Sequence, residues 1–301
     1  MLQNLRPVEP CSSVQVLAEL DPTKCGVGAV EEEMKNPYYT ITPAGERMID
    51  RTAVAKDMIL FVAVPSYKEC KSEFSQALTL LGEFLTANRI RHLVHFHRGD
   101  SVPDMARNMC VAEFLRRKDC NRMLWLDDDL YWPSPDVLLR YLALDQDVIG
   151  GNYPKKMLFW DKLWNAIVTT PELAQLPMRD GIRLLKNAAV EMTAKAKPGG
   201  RRIERLVEAD RLPGGFTLVK RDVYEQIAAA RPDIKYSLGN GDPINEHLFA
   251  FYRHVIKDGE WLGEDYYFSE LARACGLTLW KDDETEIAHI GTYVYTGDPT
   301  R

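Results

Sequence analysis

Three consecutive carboxylates, Asp127-Asp128-Asp129, stand directly after the apolar run Arg122–Leu126 (RMLWL). A short run of that kind reads as a buried strand. If the chain stays extended, Asp127 and Asp129 face the same way, with Cα atoms roughly 6.5 Å apart. Such a pair offers hard oxygen ligands to one divalent cation, Mn²⁺ or Mg²⁺. The cation would act as a Lewis acid on a departing diphosphate. Three adjacent like charges in a purely structural role need compensation that the neighbouring sequence does not show.

Other residues offer chemistry with an ordinary alternative beside it. Glu264 and Asp265 open a helical pattern, where an acidic side chain caps the helix or favours its dipole. Gly214 and Gly215 precede a β-prone run; they form a turn, or they let the backbone approach a sugar closely. His289 lies among Ile287, Ala288 and Ile290, the setting of an ordinary core histidine. His95 and His97 share a strand face without a third ligand, so they read as strand surface or core. Trp132, Tyr153 and Trp160 are core aromatics or stacking platforms.

The elements that must position these groups alternate. Strands are predicted at Met58–Val64, His92–His97, Arg122–Leu126 and Asp147–Gly151. Helices are predicted from Ser72, from Pro103 to about Arg117 (apolar face Met105, Met109, Ala112, Leu115), and from Ser134-Pro135-Asp136 to about Leu144. Further along come a turn and strand over Leu212–Lys220, helices over Asp222–Ala230 and Asp265–Cys275, a strand over Leu277–Trp280 and an extended piece over Glu286–Ile290. The order β-α-β-α-β-α-β implies a mostly parallel sheet covered by helices, and ligands in such sheets bind beyond the carboxyl ends of the strands. The acidic cluster is at such an end. Residues 1–56, broken by five prolines, read as an N-terminal extension, and 57–301 as one α/β domain.

The chain has 301 residues and a net charge of −6. That charge argues mildly against a general nucleic-acid binder, but it is unevenly spread. Lys155–Arg221 contains 14 Lys+Arg against 7 Asp+Glu, a local +7 that leaves −13 on the rest. The segment of about 155–211 therefore reads as a basic helical insertion. It is either a solvated face or, through Arg201, Arg202 and Arg205, a surface for an anionic acceptor. No apolar run is long enough to span a bilayer. The N-terminus lacks a basic start followed by an apolar core, and the six cysteines are scattered without a CxxC pair. Both point to a reducing cytoplasm. There is no GxxxxGK[ST] phosphate loop, and Gly26-Val27-Gly28 lacks the third glycine of a dinucleotide fingerprint. A nucleotidyltransferase would need a glycine-rich phosphate loop near the first strand, which the sequence lacks.

The segments VAVPSY (Val62–Tyr67), Ala106-Arg107-Asn108, RMLWLDDDLYWPSPDVL, DVIGGNYPKK, LPGGFTLVKRDV (Leu212–Val223), GEDYYFSELARACG (Gly263–Gly276) and HIGTYVYTGD (His289–Asp298) resemble, in order and spacing, GT-A fold glycosyltransferases. The resemblance is to family 2-like members of the kind found in bacteriophage genomes, and it covers roughly residues 57–301. It implies a Rossmann-like GT-A fold that moves a sugar from a nucleotide-sugar donor to a hydroxyl. It implies metal ligation by Asp127, Asp129 and His289, and donor contacts from Pro65, Tyr67, Arg107, Asp127, Asp128, Gly214 and Gly215. It also implies a general base in the pair Glu264-Asp265. Haloacid dehalogenase-type phosphatases share Asp-x-Asp after a strand, but there the motif normally sits on the first strand. The phage-like resemblance and the basic segment together suggest a hydroxymethylated DNA base as acceptor, reached by flipping; a glycan is the alternative. The location would be cytoplasmic, that of the host if phage-encoded. From another class, an inactive nucleotide- or carbohydrate-binding module would keep the fold without transfer.

Overall fold

Successive side chains of the two apolar strands over residues 59–66 and 122–126 enter two different core layers, and this alternation decides where Asp127 points. The computed structural model describes residues 36–43 and 45–293; most of the expected N-terminal extension and the end of the HIGTYVYTGD segment lie outside the described residues. A hairpin of β1 (Tyr39–Ile41) and β2 (Arg47–Ile49) leads into α1 (Arg51–Asp57), whose Thr52 and Ala53 amides donate to the Asp50 carboxylate, a side-chain N-cap. There follow β3 (Ile59–Ser66), α2 (Ser72–Ala87), β4 (Arg91–Arg98), α3 (Pro103–Arg116) and β5 (Arg122–Leu126). After them come β6 (Leu130–Tyr131), α4 (Asp136–Leu144) and β7 (Val148–Gly151). The basic segment holds α5 (Trp160–Thr169), α6 (Met178–Ala188), β8 (Lys195–Ala196), β9 (Arg202–Ile203) and β10 (Leu206–Arg211). The chain continues through β11 (Phe216–Lys220), α7 (Arg221–Ala230), a hairpin of β12 (Val255–Lys257) and β13 (Glu260–Leu262), α8 (Glu264–Ala274), β14 (Leu279–Asp282) and β15 (Ala288–His289).

The main sheet runs β4-β3-β5-β11-β7-β14-β10-β8, with β9 beside β10. β4, β3 and β5 pair in parallel, as do β7 and β14. β11 lies antiparallel between β5 and β7, and β10 antiparallel against β14. The expected α/β class, a mostly parallel Rossmann-like sheet flanked by helices, is the fold observed.

Leu60, Val62 and Val64 of β3 and Leu124 and Leu126 of β5 face a core layer shared with Phe74, Leu81 and Leu85 of α2. Phe61 and Ala63, with Met123 and Trp125, face the other layer, against Cys110, Val111 and Phe114 of α3. Strand parity thus carries the next odd position, Asp127, toward α3. The expected apolar face of that helix is wrong in part. Its buried side includes Arg107 and Asn108, whereas Met105, Met109 and Leu115 are only half-buried. Counting apolar residues alone missed two polar groups that the core satisfies with hydrogen bonds.

Two boundaries also shift. Tyr38 and Val54, placed in the extension by sequence, belong to the core of the unit that begins at Pro37. Leu206–Arg211, placed in the insertion, is a strand of the main sheet. Trp132 and Tyr153 are buried, while Trp160 is exposed. Among the described residues, Cys70, Cys110, Cys120 and Cys275 are free thiols, and no helix is long and apolar enough to cross a membrane.

Candidate active site

The acidic cluster does not continue the strand. β5 ends at Leu126, the Leu130 amide donates to the Asp127 carbonyl (3.2 Å), and the chain turns. The expectation that Asp127 and Asp129 share one face therefore fails, because side-chain alternation holds only while the backbone stays extended. The three expected metal ligands Asp127, Asp129 and His289 accordingly divide into an inner and an outer group.

Asp127 faces inward. Arg107, only 6% exposed, donates from Nη2 to both Asp127 oxygens (3.0 and 3.1 Å), from Nε to Glu264 Oε1 (3.1 Å) and from Nη1 to the Gly214 carbonyl (3.4 Å). Burial opposes the Arg107 charge, but Asp127 and Glu264 outweigh it and hold the guanidinium firmly protonated. Burial likewise pushes the Asp127 carboxyl above its ordinary value; Arg107 pulls it down, and the nearby Asp129 and Glu264 charges add to the rise. The Arg107 fork, expected to touch a donor, is spent on the protein itself.

Gly214 and Gly215 are required by this packing. A Cβ on Gly214 would lie 2.8 Å from Arg107 Cζ, and one on Gly215 would lie 2.5 Å from the Tyr153 hydroxyl and 2.6 Å from Asp127 Oδ2. The close approach expected toward a sugar is thus made to the chain's own side chains. The Gly215 amide donates to the Tyr153 hydroxyl (2.9 Å), and the Gly214 amide donates to Asp265 Oδ2 (3.3 Å). Asp265 Oδ1 accepts from the Tyr266 amide (2.7 Å) at the start of α8. Burial, then the adjacent Glu264 charge, pushes the Asp265 carboxyl up to about 6.

Asp129 faces outward. The short β6–β15 ladder pairs Leu130 with His289, and the Ile290 amide donates to the Asp129 carbonyl (2.7 Å), which brings His289 to Asp129 from far along the chain. His289 Nδ1 lies 2.9 Å from the Pro154 carbonyl, which can only accept, so Nδ1 carries the proton. With Nε2 protonated, the ring donates to Asp129 Oδ1, 3.3 Å away; with Nε2 unprotonated, its lone pair faces that oxygen. In the unprotonated form, two electron-pair donors at that separation fit a shared cation, and a backbone carbonyl on the second ring nitrogen is the usual support of a metal-ligating histidine. Lys156 Nζ holds the other Asp129 oxygen at 2.5 Å. Burial raises the Asp129 carboxyl, but hydrogen bonds from His289 and Lys156 outweigh it, and the net shift is downward. Asp128 accepts from Ser66, with burial raising it, while the Asp128 carbonyl accepts from the Lys71 amide (3.0 Å). Pro65 is half-buried at the end of β3, and Tyr67 beyond it is exposed.

Sequence reasoning passed over three participants. Lys156 looked like one of many cations. Asp104 and His254 lie 150 residues apart, yet Asp104 Oδ1 meets His254 Nδ1 at 2.6 Å, and His254 Nε2 lies 3.5 Å from Glu264 Oε2. A continuous polar chain, Asp104–His254–Glu264–Arg107–Asp127, results. Among the described residues, Asp104, His254 and Glu264 are the only three His, Cys, Asp or Glu side chains whose ligating atoms all lie within 4.8 Å of one another. No local spacing signals this cluster.

The expected acceptor arginines do not form a free stripe. Arg201 Nε donates to Glu208 Oε2 (3.0 Å), Arg205 pairs with Glu284 (2.8 Å) and Asp282 (3.5 Å), and Arg202 alone of the three lies exposed without an acidic partner among the described residues.

No family model and no curated protein matches the chain. Solved structures similar to it include A197 from STIV, 15% identical, with a TM-score of 0.39 over 81% of this chain and 100% of that one. Another is 4-diphosphocytidyl-2C-methyl-D-erythritol synthase from Anaerococcus prevotii, 7% identical, with a TM-score of 0.30 over 64% of this chain and 84% of that one. Likenesses this slight assign neither a reaction nor a ligand to the chain.

Proposed function

We propose that the protein is a metal-dependent glycosyltransferase that moves a sugar from a nucleotide-diphosphate sugar to a hydroxyl. The observation that carries this reading is the pairing of Asp129 Oδ1 with His289 Nε2 at 3.3 Å, the imidazole fixed by the Pro154 carbonyl, beyond the carboxyl end of β5. Asp129 and His289 would hold Mn²⁺ or Mg²⁺, with Asp127 acting from behind through its charge. The bound cation would neutralise the leaving diphosphate. Lys156 can exchange its hold on Asp129 for a diphosphate oxygen, a compact point charge suited to phosphate. Pro65 and Tyr67 would border the donor base and ribose. Arg107 orients Asp127 and Glu264 without reaching the donor. Asp265, with its carboxyl raised toward neutrality, is the candidate base for the acceptor proton, with Glu264 beside it. A carbohydrate hydroxyl is the acceptor favoured here, because the arginines that motivated a DNA acceptor are largely engaged within the protein.

A thermal-shift screen of nucleoside diphosphates and nucleotide sugars, with and without Mn²⁺, tests the reading. A ligand at a hundred times its dissociation constant stabilises by about 2.7 kcal/mol. At least one nucleotide should raise the melting temperature only with Mn²⁺, and Asp129→Asn and His289→Ala should each abolish that increment. No shift by any nucleotide, or one indifferent to metal, refutes the proposal. A nucleotide that binds with metal but is never hydrolysed or transferred would indicate an inactive binding module.

A further inference from the structure

We propose that α5 and α6 form a docking face for an anionic lipid surface. Trp160, Trp164, Ile167 and Val168 recur at helical spacing on α5 and are all exposed, Trp164 by 66%. No residue of α5 is buried; the helix rests on the protein through half-buried positions such as Leu163 and Ala166. On α6, which packs against α5, Met178 and Ile182 lie one turn apart and are also exposed, Met178 by 80%. The helices α2, α3, α4, α7 and α8 each bury an apolar face, as a helix of a globular domain does. Single exposed apolar residues are ordinary, but an exposed apolar stripe on one helix, with two more such residues on the helix packed against it, marks an interaction surface.

Charge selects the occupant. Arg179, Arg183 and Lys186 are exposed at helical spacing along α6. Of the other cations nearby, Lys155 and Lys162 pair with Glu191 and Lys156 with Asp129, so the positive charge of the face rests on these three residues of α6, of which Arg183 lies 3.6 Å from Asp180. Tryptophan beside basic residues on an amphipathic helix suits the headgroup boundary, where the ring is half apolar and half wetted and the cations meet anionic lipid. A second copy fits less well, because two-fold pairing would bring the same cationic rim against itself. The helices lie on the surface and need not span it. The face starts four residues after Lys156, so it flanks the candidate active site, but the inference stands without any reading of the reaction.

The experiment mixes the full chain with sedimentable vesicles of phosphatidylglycerol or of phosphatidylcholine. The chain should sediment with phosphatidylglycerol and not with phosphatidylcholine, its tryptophan emission should shift to the blue on binding, and added salt should weaken the association. Trp160→Ser combined with Trp164→Ser should cut partition at least about tenfold while circular dichroism and the melting temperature hold, since both rings are exposed. Arg179→Glu with Arg183→Glu should cut it by roughly fivefold or more per residue. Failure to sediment with phosphatidylglycerol at low salt overturns the proposal. So does equal binding by the tryptophan double variant. A concentration-dependent dimer that the same variant dissolves, without vesicle binding, would reassign the face to self-association.

Discussion

Asp127 and Asp129 are the same residue type two positions apart, yet they inhabit different regions of the molecule. Asp127 belongs to an interior network in which Arg107 is shared by two carboxylates and a carbonyl. Asp129, equally half-buried, belongs to a different group of partners, a histidine ring and an exposed lysine. The difference comes from one turn and from which partners the fold supplies on each side. Repeated letters in a motif therefore need not share partners: the first carboxylate is tied to a buried arginine, the third to a histidine and an exposed lysine.

The largest expected effect lies on the inner side. Arg107→Ala would leave Asp127 and Glu264 without their shared cation and should destabilise by about 3–5 kcal/mol, read by urea unfolding. Arg107→Lys should recover only part, because an ammonium cannot bridge the same three partners as a fork. The comparison breaks if Asp129→Ala proves as damaging as Arg107→Ala.

Next is the pH dependence of Asp265. Its carboxyl is raised to about 6 in the fold from an ordinary 3.8, so between these values the folded chain holds a proton that the unfolded chain has released. Stability from this group is full below about 4 and is lost as pH rises through about 6, a change on the order of 2–3 kcal/mol. Asp265→Asn should flatten that slope in unfolding measured across the pH series. If Asp265 is the base, transfer should rise with pH over the same window, opposite in sign to stability.

Gly215→Ala should cost about 1–3 kcal/mol, since the new methyl must displace the Tyr153 hydroxyl or Asp127. A melt of the purified variant reads this directly, and an unchanged melting temperature would show that the inner network has slack. The smallest stability effect is expected at the outer carboxylate. Asp129→Asn should change unfolding by less than about 1 kcal/mol, because its ion-pair partner Lys156 is exposed and an amide oxygen can still accept from it. The same variant should still lose the metal-dependent response to nucleotides, which calorimetric titration would measure. Together these outcomes separate a carboxylate that supports the fold from one that serves a ligand.

Much of this was legible from local pattern. The continuous apolar run near residue 60 marked β3, RMLWL marked β5, and Pro103 marked the start of α3, because buried parallel strands and capped helices have short-range signatures. The meeting of His289 with Asp129 was carried by resemblance alone; in the fold it depends on a two-residue ladder between β6 and β15. β10 escaped notice because its sequence, LVEADR, is half charged, and Asp104 and His254 escaped because nothing local joins them.

What the sequence by itself determined was the layering: alternating apolar strands and amphipathic helices must bury one face each, and a mostly parallel sheet is the solution that does so. It also determined that carboxylates would stand at the carboxyl end of β5. Only the tertiary structure decided which of them turns inward, that Gly214 and Gly215 make room for Arg107 and Asp127, that the basic residues of the insertion are largely paired, and that the apolar stripe of α5 is left exposed. Those outcomes depend on contacts between residues as much as 157 positions apart, as between Arg107 and Glu264. Hydrophobic patterning is local and non-directional, whereas ion pairs and hydrogen bonds require a particular partner within about 3 Å, and only the folded chain supplies it.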